Sequence, residues 1–218
     1  MKPLKNLAPL LSIALLFGCS NPADKVPEAS VSSKTNAVAE SAKPSPATEA
    51  KSRAYALGPE NSSIGFVGSK VTGRHNGGFK KFAGELRVIN GKLADSGNKV
   101  VIETASIWAD NDRLTGHLKS PDFFNAAQMP TATFESISIT QHETNSTISG
   151  NLTLHGITKQ ISFPAQIQIS DDTVELGAEF FINRFDFDIK YPGKVNDLIR
   201  KEVVLKLKVK AAPTEKKA

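Results

Sequence analysis

From Val174 to Ile182 every second residue is apolar (Val174, Leu176, Ala178, Phe180 and Ile182), while Glu175 and Glu179 stand between them. A strand turns successive side chains to opposite faces, so this alternation describes a sheet with one buried side. The pattern recurs in Ile64 and Phe66, in Phe82, Gly84, Leu86 and Val88, in Ile148, Leu152 and Leu154, and from Ile161 to Ile169. Near the C-terminus Val203, Leu205, Leu207 and Val209 face inward and Lys206, Lys208 and Lys210 face water. Residues 99–108, 131–140, 184–189 and 202–210 bring the expectation to eight or nine strands. Asn90-Gly91 and Asp171-Asp172 read as hairpin turns, and Gly73, Gly77 and Gly78 around Arg74, His75 and Asn76 as a flexible turn. Short antiparallel strands at even spacing predict an all-β sandwich or closed barrel.

One stretch, 110–129, breaks the alternation. Leu114 and Leu118 lie four apart after a cap at Asp112, which predicts a short helix. Ser120-Pro121 reads as an N-cap with proline at the first helical position, opening one more turn through Phe124. The fold class is therefore all-β with a short helical insertion.

The N-terminus is of another kind. Lys2 and Lys5 precede an apolar run, 7–17, that ends at Leu16-Phe17-Gly18-Cys19. Eleven residues reach about half of a ~30 Å hydrocarbon core, so residues 1–18 read as a signal peptide rather than a permanent span. Leu-Phe-Gly-Cys resembles the bacterial lipobox, which implies diacylglycerol on the Cys19 thiol, acyl chains such as palmitate, and a membrane anchor. Ser20 is not the Asp tied to inner-membrane retention. The expected location is thus the cell envelope, periplasm-facing, with the outer membrane favoured over the inner.

Residues 20–53 hold no aromatic and only three valines. Such a segment cannot build a core, so 19–53 reads as a lipidated cysteine on a disordered tether, with a root-mean-square reach of roughly 30–35 Å. The β domain spans 54–211 and a flexible tail spans 212–218.

The net charge of +5 raises nucleic acid as a partner, but most of it lies in the tails. Residues 54–211 hold 18 Lys+Arg against 17 Asp+Glu, too even a balance for a phosphate-tracking patch. With one cysteine in the chain, no internal disulfide forms.

Catalytic constellations are not legible. His75, His117, His142 and His155 lack metal-ligand spacing, and neither a nucleophile elbow nor a phosphate loop is present. Asp110 and Asp112 read as turn and cap residues. The reading is a protein that is not an enzyme, with no metal and no cofactor. Eleven of the twelve phenylalanines fall in the β domain. Phe180 and Phe181 must point to opposite faces of one strand, which requires either a covered sheet or a lined interior. An eight-stranded barrel is wide enough for one small ligand.

The run 116–125, Gly-His-Leu-Lys-Ser-Pro-Asp-Phe-Phe-Asn, followed by Met129-Pro130-Thr131-Ala132-Thr133-Phe134-Glu135-Ser136, resembles the signature of the YceI-like family of periplasmic proteins. Residues 150–159, 63–66 and 78–84 are similar to further blocks of that family. The resemblance implies a lipocalin-like antiparallel barrel whose apolar cavity holds a long-chain isoprenoid, such as a polyprenyl compound or quinone, or a related amphiphilic lipid. By position it implies Phe79, Phe82, Leu118, Phe123, Phe124, Phe134, Leu154 and Phe185 as lining residues; in a lipid-binding reading, the lid residues Arg113 and His117 are the candidates to meet the head group. Two alternatives stay open: a tethered interaction or stress-response module whose barrel is filled by its own side chains, and an enzyme. Self-association as a homodimer stays open too.

Overall fold

The computed structural model describes residues 21–33, 52–142 and 145–214. The signal peptide and Cys19 lie outside the described residues. The strands are β1 (Ser30–Ser33), β2 (Ser52–Leu57), β3 (Ser63–Lys70), β4 (Gly73–Phe79), β5 (Phe82–Ile89), β6 (Lys92–Leu93), β7 (Lys99–Glu103) and β8 (Ile107–Ala109). The helix α1 (Asp112–Leu118) follows, then β9 (Thr131–Thr140), β10 (Ser146–Leu154), β11 (Ile157–Ile169), β12 (Val174–Asn183), β13 (Gly193–Lys194) and β14 (Asp197–Pro213).

Eight strands close an antiparallel ring, in the order β11, β10, β9, β7, β5, β2, β14, β12 and back to β11. Alternation positions the core as expected: Phe180, Ile182, Val174 and Leu176 of β12 are buried with Ile161 and Phe163 of β11. Turns follow residue chemistry. Asn90 (φ 52°) and Gly91 (φ 78°) join β5 to β6, and His155 (φ 52°) and Gly156 (φ 75°) join β10 to β11; both central residues have positive φ, the condition for a type I′ hairpin turn.

β14 forks the sheet. Its last residues, Ala212 and Pro213, pair with Ala56 and Tyr55 of β2, while 199–208 pair with β3, which continues into β4 and β8. This side flap forms a second wall over one end of the ring. Gly77 is needed where the flap packs: a Cβ there would stand 2.3 Å from Phe66 Cζ and 2.4 Å from the carbonyl oxygen of Trp108. The glycine group expected as a flexible turn thus lies in strand β4, where Gly77 and Gly78 lack side chains because a ring and neighbouring strands occupy that space, while Gly73 is unconstrained.

The structure corrects the sequence reading elsewhere. Residues 184–189 form no strand: Arg184–Phe187 is a 3₁₀ turn, capped by Asn183 accepting from the Phe185 amide and ended by Asp188 at φ 58°. The predicted strand 99–108 is broken by a 3₁₀ turn at Thr104–Ser106. The helix cap is Asn111, one residue before the expected Asp112, and 121–124 is a turn, not a second helix. Ala212 and Pro213, assigned to the loose tail, belong to β14, and Ser52 and Arg53, assigned to the tether, to β2.

The largest correction concerns residues 21–33 of the segment assigned to the tether; its residues 34–51 lie outside the described residues. Residues 21–33 are packed on the barrel. β11 pairs with β12 only over 166–169, beyond which the two strands diverge and leave facing edges unpaired. The N-terminal segment fills that gap: Ser30–Ser33 pairs with 159–162 of β11, and Glu28 makes a parallel bridge to Phe181 of β12. The Ala29 amide donates to the Phe181 carbonyl at 2.9 Å, and the Phe181 amide to the Pro27 carbonyl at 3.0 Å. Ala23 and Ala29 are buried, Ala23 against Val67 and Val204 with Val26 and Phe181 beside them. A segment poor in large apolar residues can still be held this way, because open strand edges supply hydrogen-bond partners to any backbone that reaches them.

Candidate functional site

The end of the barrel beneath α1 is not filled by its own side chains. A cavity of about 710 Å³ lies between Ile64 and Phe66 of β3, Ile182 of β12, and Val203 and Leu205 of β14 on one side, and Ile102, Ala132, Leu152 and Leu154 on the other. Small residues keep it open: Gly68 lines it, and a Cβ there would meet no atom within 4 Å. The rest of the interior is filled, with Phe163 stacked on Phe180 at 4.2 Å and Phe134 tilted against Phe163 at 5.7 Å. The volume lies within the ~300–1,000 Å³ usual for small-molecule pockets.

The helical insertion forms the roof. Asn111 accepts from the Leu114 amide at 3.0 Å, and Thr115 Oγ1 accepts from the Ala109 amide at 2.9 Å, which fixes α1 to the end of β8. Leu114, Leu118, Phe123 and Phe124 descend into the cavity, Phe124 edge-on to Phe79 at 5.7 Å. The His117 ring stands edge-on to Phe123 at 5.0 Å and to Tyr191 at 4.8 Å, and its Nε2 bonds Asp122 at 2.8 Å.

The rim is polar. Asp110 accepts from the Asn76 amide and bonds His75 Nδ1, both at 2.8 Å; that amide first, then His75, holds its carboxyl below the usual carboxylate range. Asp197 binds Lys70 and accepts from the Thr72 amide and hydroxyl, and Lys70 is the first cause of its lowered pKa. Arg184 is the buried cation of the site. Its guanidinium donates to the carbonyls of Arg200, Ile189, Tyr191 and Ile199, and burial lowers its pKa from the ordinary arginine value.

Among the lining residues expected from the sequence, Phe79, Leu118, Phe123, Phe124 and Leu154 do line the cavity, and both Arg113 and His117 stand on its wall. Phe82 and Phe134 lie away from it, Phe82 buried in the core and Phe134 in the filled part of the interior. Phe185 is a correction: it is 40% exposed, outside the cavity, with the Arg184 guanidinium 4.8 Å over its ring. The 3₁₀ turn that replaces the predicted strand rotates it outward. The sequence reading missed Ile64, Phe66, Tyr191 and Arg184. The first two lay in its own alternating run, and an arginine inside the apolar stretch 180–189 was a legible sign of a buried, hydrogen-bonded charge.

Neither His75 nor His117 bonds a hydroxyl nucleophile among the described residues, and no cluster of three metal-ligating side chains occurs among them. As built, the site is an apolar slot with a polar mouth, fitted to enclose an amphiphile.

Comparison with known proteins agrees with this architecture. The sequence model of the YceI-like domain matches residues 55–211. A UPF0312 protein of Pseudomonas putida strain W619 is 30% identical over 131 residues, covering 57% of this chain and 68% of that protein. Among solved structures, Burkholderia cenocepacia BcnA superposes with a TM-score of 0.65 at 21% identity, over 72% of this chain and 99% of that one. A polyisoprenoid binding domain from Saccharophagus degradans gives 0.61 at 18% identity, over 74% and 99%.

Proposed function

The chain belongs to the YceI-like domain family, and from that premise we propose that it encloses a long-chain isoprenoid, a polyprenyl compound or quinone, in the cavity beneath α1 and holds it without turnover. The carrying observation is the cavity itself, about 710 Å³ walled by Ile64, Phe66, Leu152 and Ile182 and opening at a polar rim. Each Å² of apolar chain buried there contributes ~25 cal/mol, so affinity comes from the tail and orientation from the rim. The polyisoprenoid binding domain of Saccharophagus degradans, which shares the fold, supports this choice of ligand.

We further propose that the mature chain is an envelope lipoprotein facing the periplasm, anchored through acylated Cys19 and sorted to the outer membrane. Because 21–33 is docked, only Cys19 and Ser20 separate the anchor from the folded body, a span of roughly 7 Å. The domain is therefore held at the bilayer instead of ranging on a long tether, a position suited to taking up a membrane lipid.

The test is native mass spectrometry with organic extraction, on full-length chain exported in a Gram-negative host. One isoprenoid or quinone per chain is the expected result. Folded protein that stays empty even after incubation with polyprenyl lipids sinks the reading in favour of a partner-binding module. Cys19→Ser is expected to release the chain from the membrane fraction.

A further inference from the structure

Of the six exposed large apolar side chains among the described residues, the three most exposed lie close together, whereas Val101, Trp108 and Phe185 stand elsewhere. Val71, Val195 and Leu198 are 55%, 97% and 49% exposed; Val71 stands on the β3–β4 turn, Val195 on the β13–β14 turn, and Leu198 at the start of β14, next to residues that line the cavity mouth. The β3–β4 turn and the β13–β14 turn are joined to each other: the Val71 amide donates to the Leu198 carbonyl at 3.1 Å, and Asp197 holds Thr72 and Lys70. The tip is thus a fixed ridge.

Cations flank this ridge. Arg113, Lys194 and Arg200 line the same mouth, and none has a carboxylate partner among the described residues. Of the acidic groups at this rim, Asp197 is engaged by Lys70, Asp110 by His75 and Asp122 by His117, while the exposed Asp112 stands next to Arg113 in the chain. Exposed apolar tips ringed by free Lys and Arg fit an anionic bilayer: the tips enter the interfacial region and the cations meet lipid phosphates.

The N-terminal segment packs on the strand that leads to this ridge. Ala23 packs against Val67, which lies three residues from Lys70 along β3, or about 10 Å at ~3.3 Å per residue. Cys19 lies two residues before the docked Asn21, so the anchor is held within roughly 7 Å of the segment that packs on β3 and β14.

We propose that the ridge formed by Val71, Val195 and Leu198, with Arg113, Lys194 and Arg200, is a docking surface for an anionic lipid bilayer that sets the cavity mouth against the membrane. This rests on the lipid-binding reading for its purpose, though the surface is testable with the cavity empty. Each cation near an anionic surface raises partitioning about fivefold, so the three together supply roughly a hundredfold.

The test uses the chain from residue 19 onward with Cys19→Ser, which keeps every described element but has no acyl chain. It is expected to sediment with phosphatidylethanolamine vesicles containing one-third phosphatidylglycerol, to be released by high salt, and to ignore phosphatidylcholine vesicles. Val195→Asp with Leu198→Asp, and separately Arg113→Glu with Lys194→Glu, should each weaken binding at least tenfold while the melting temperature holds, since Val195, Arg113 and Lys194 are exposed. Absence of vesicle binding overturns the proposal, as does binding that both variants retain. A dimer in solution that the aspartate pair dissolves, without vesicle binding, overturns it in favour of a second copy of the chain. Isoprenoid content is measured on the same preparations: loaded protein that ignores vesicles removes this surface and leaves the cavity reading standing.

Discussion

Arg184 donates through Nη1 to the carbonyl of Ile189 at 2.5 Å, and the same guanidinium reaches the carbonyls of Tyr191, Ile199 and Arg200. One buried side chain therefore ties together both arms of the loop that carries β13 and forms one side of the cavity mouth. The apolar stretch around it tolerates the charge because four backbone oxygens receive it.

Removing those donors should loosen the mouth. Arg184→Met leaves carbonyls without partners, and the expected loss is about 3–5 kcal/mol in urea unfolding. Arg184→Lys should recover only a part, since an ammonium lacks the planar fork that spans all four. Limited proteolysis should locate the new cleavage between 188 and 200.

Gly68 offers a way to fill the cavity without strain. The Cβ of Gly68→Leu meets no atom within 4 Å and Gly68 lines the cavity, so the fold and melting temperature should hold while co-purified isoprenoid falls at least tenfold. Phe185→Ala, on a side chain outside the cavity, should retain the wild-type isoprenoid content. Equal retention by Gly68→Leu and wild type would place the ligand elsewhere.

Docking of the N-terminal segment is tested at Ala23. Ala23→Asp sets a carboxylate against Val67 and Val204, and undocking limits the cost to about 1–3 kcal/mol. Trypsin should then cut after Lys25 at least tenfold faster than in the wild type, with the barrel intact.

The rim should respond to acid through Asp197. Its folded-state pKa is lowered, first by Lys70 and then by Thr72, so its contribution is full above the unfolded carboxylate value of ~3.9 and is lost as pH falls through the lowered value. Asp197→Asn should remove that dependence. Carboxyl and amide NMR shifts of Asp197 and Thr72 should titrate together in the wild type below pH ~4, and the Thr72 amide should not follow in the variant.

Much of the fold was legible because burial of one sheet face leaves a period of two. The runs at 161–169, 174–182 and 203–209 became β11, β12 and β14, and Leu114 with Leu118 became α1. Residues 184–189 misled because Phe185, Phe187 and Ile189 also alternate, although Arg184–Phe187 closes a 3₁₀ turn that leaves Phe187 buried and Phe185 exposed. The adjacent pair Phe180 and Phe181 requires cover on both faces of β12. Phe180 stacks on Phe163 inside, while Phe181 packs outside with Ala23 and Val26, so the covered sheet was implied and its cover was the segment assigned to the tether.

The sequence by itself determined which side chains could share a face, where the chain turns, and that an all-β domain with a helical insertion follows, because these depend on local periodicity and backbone preference. Only the tertiary structure decided that β11 and β12 diverge and take in 21–33, that the flap of β3, β4 and β8 and the roof of α1 leave a cavity at one end, and that Arg184 crosses beneath its rim. Those features arise from contacts between residues far apart in the chain, whose geometry is fixed only when the barrel closes.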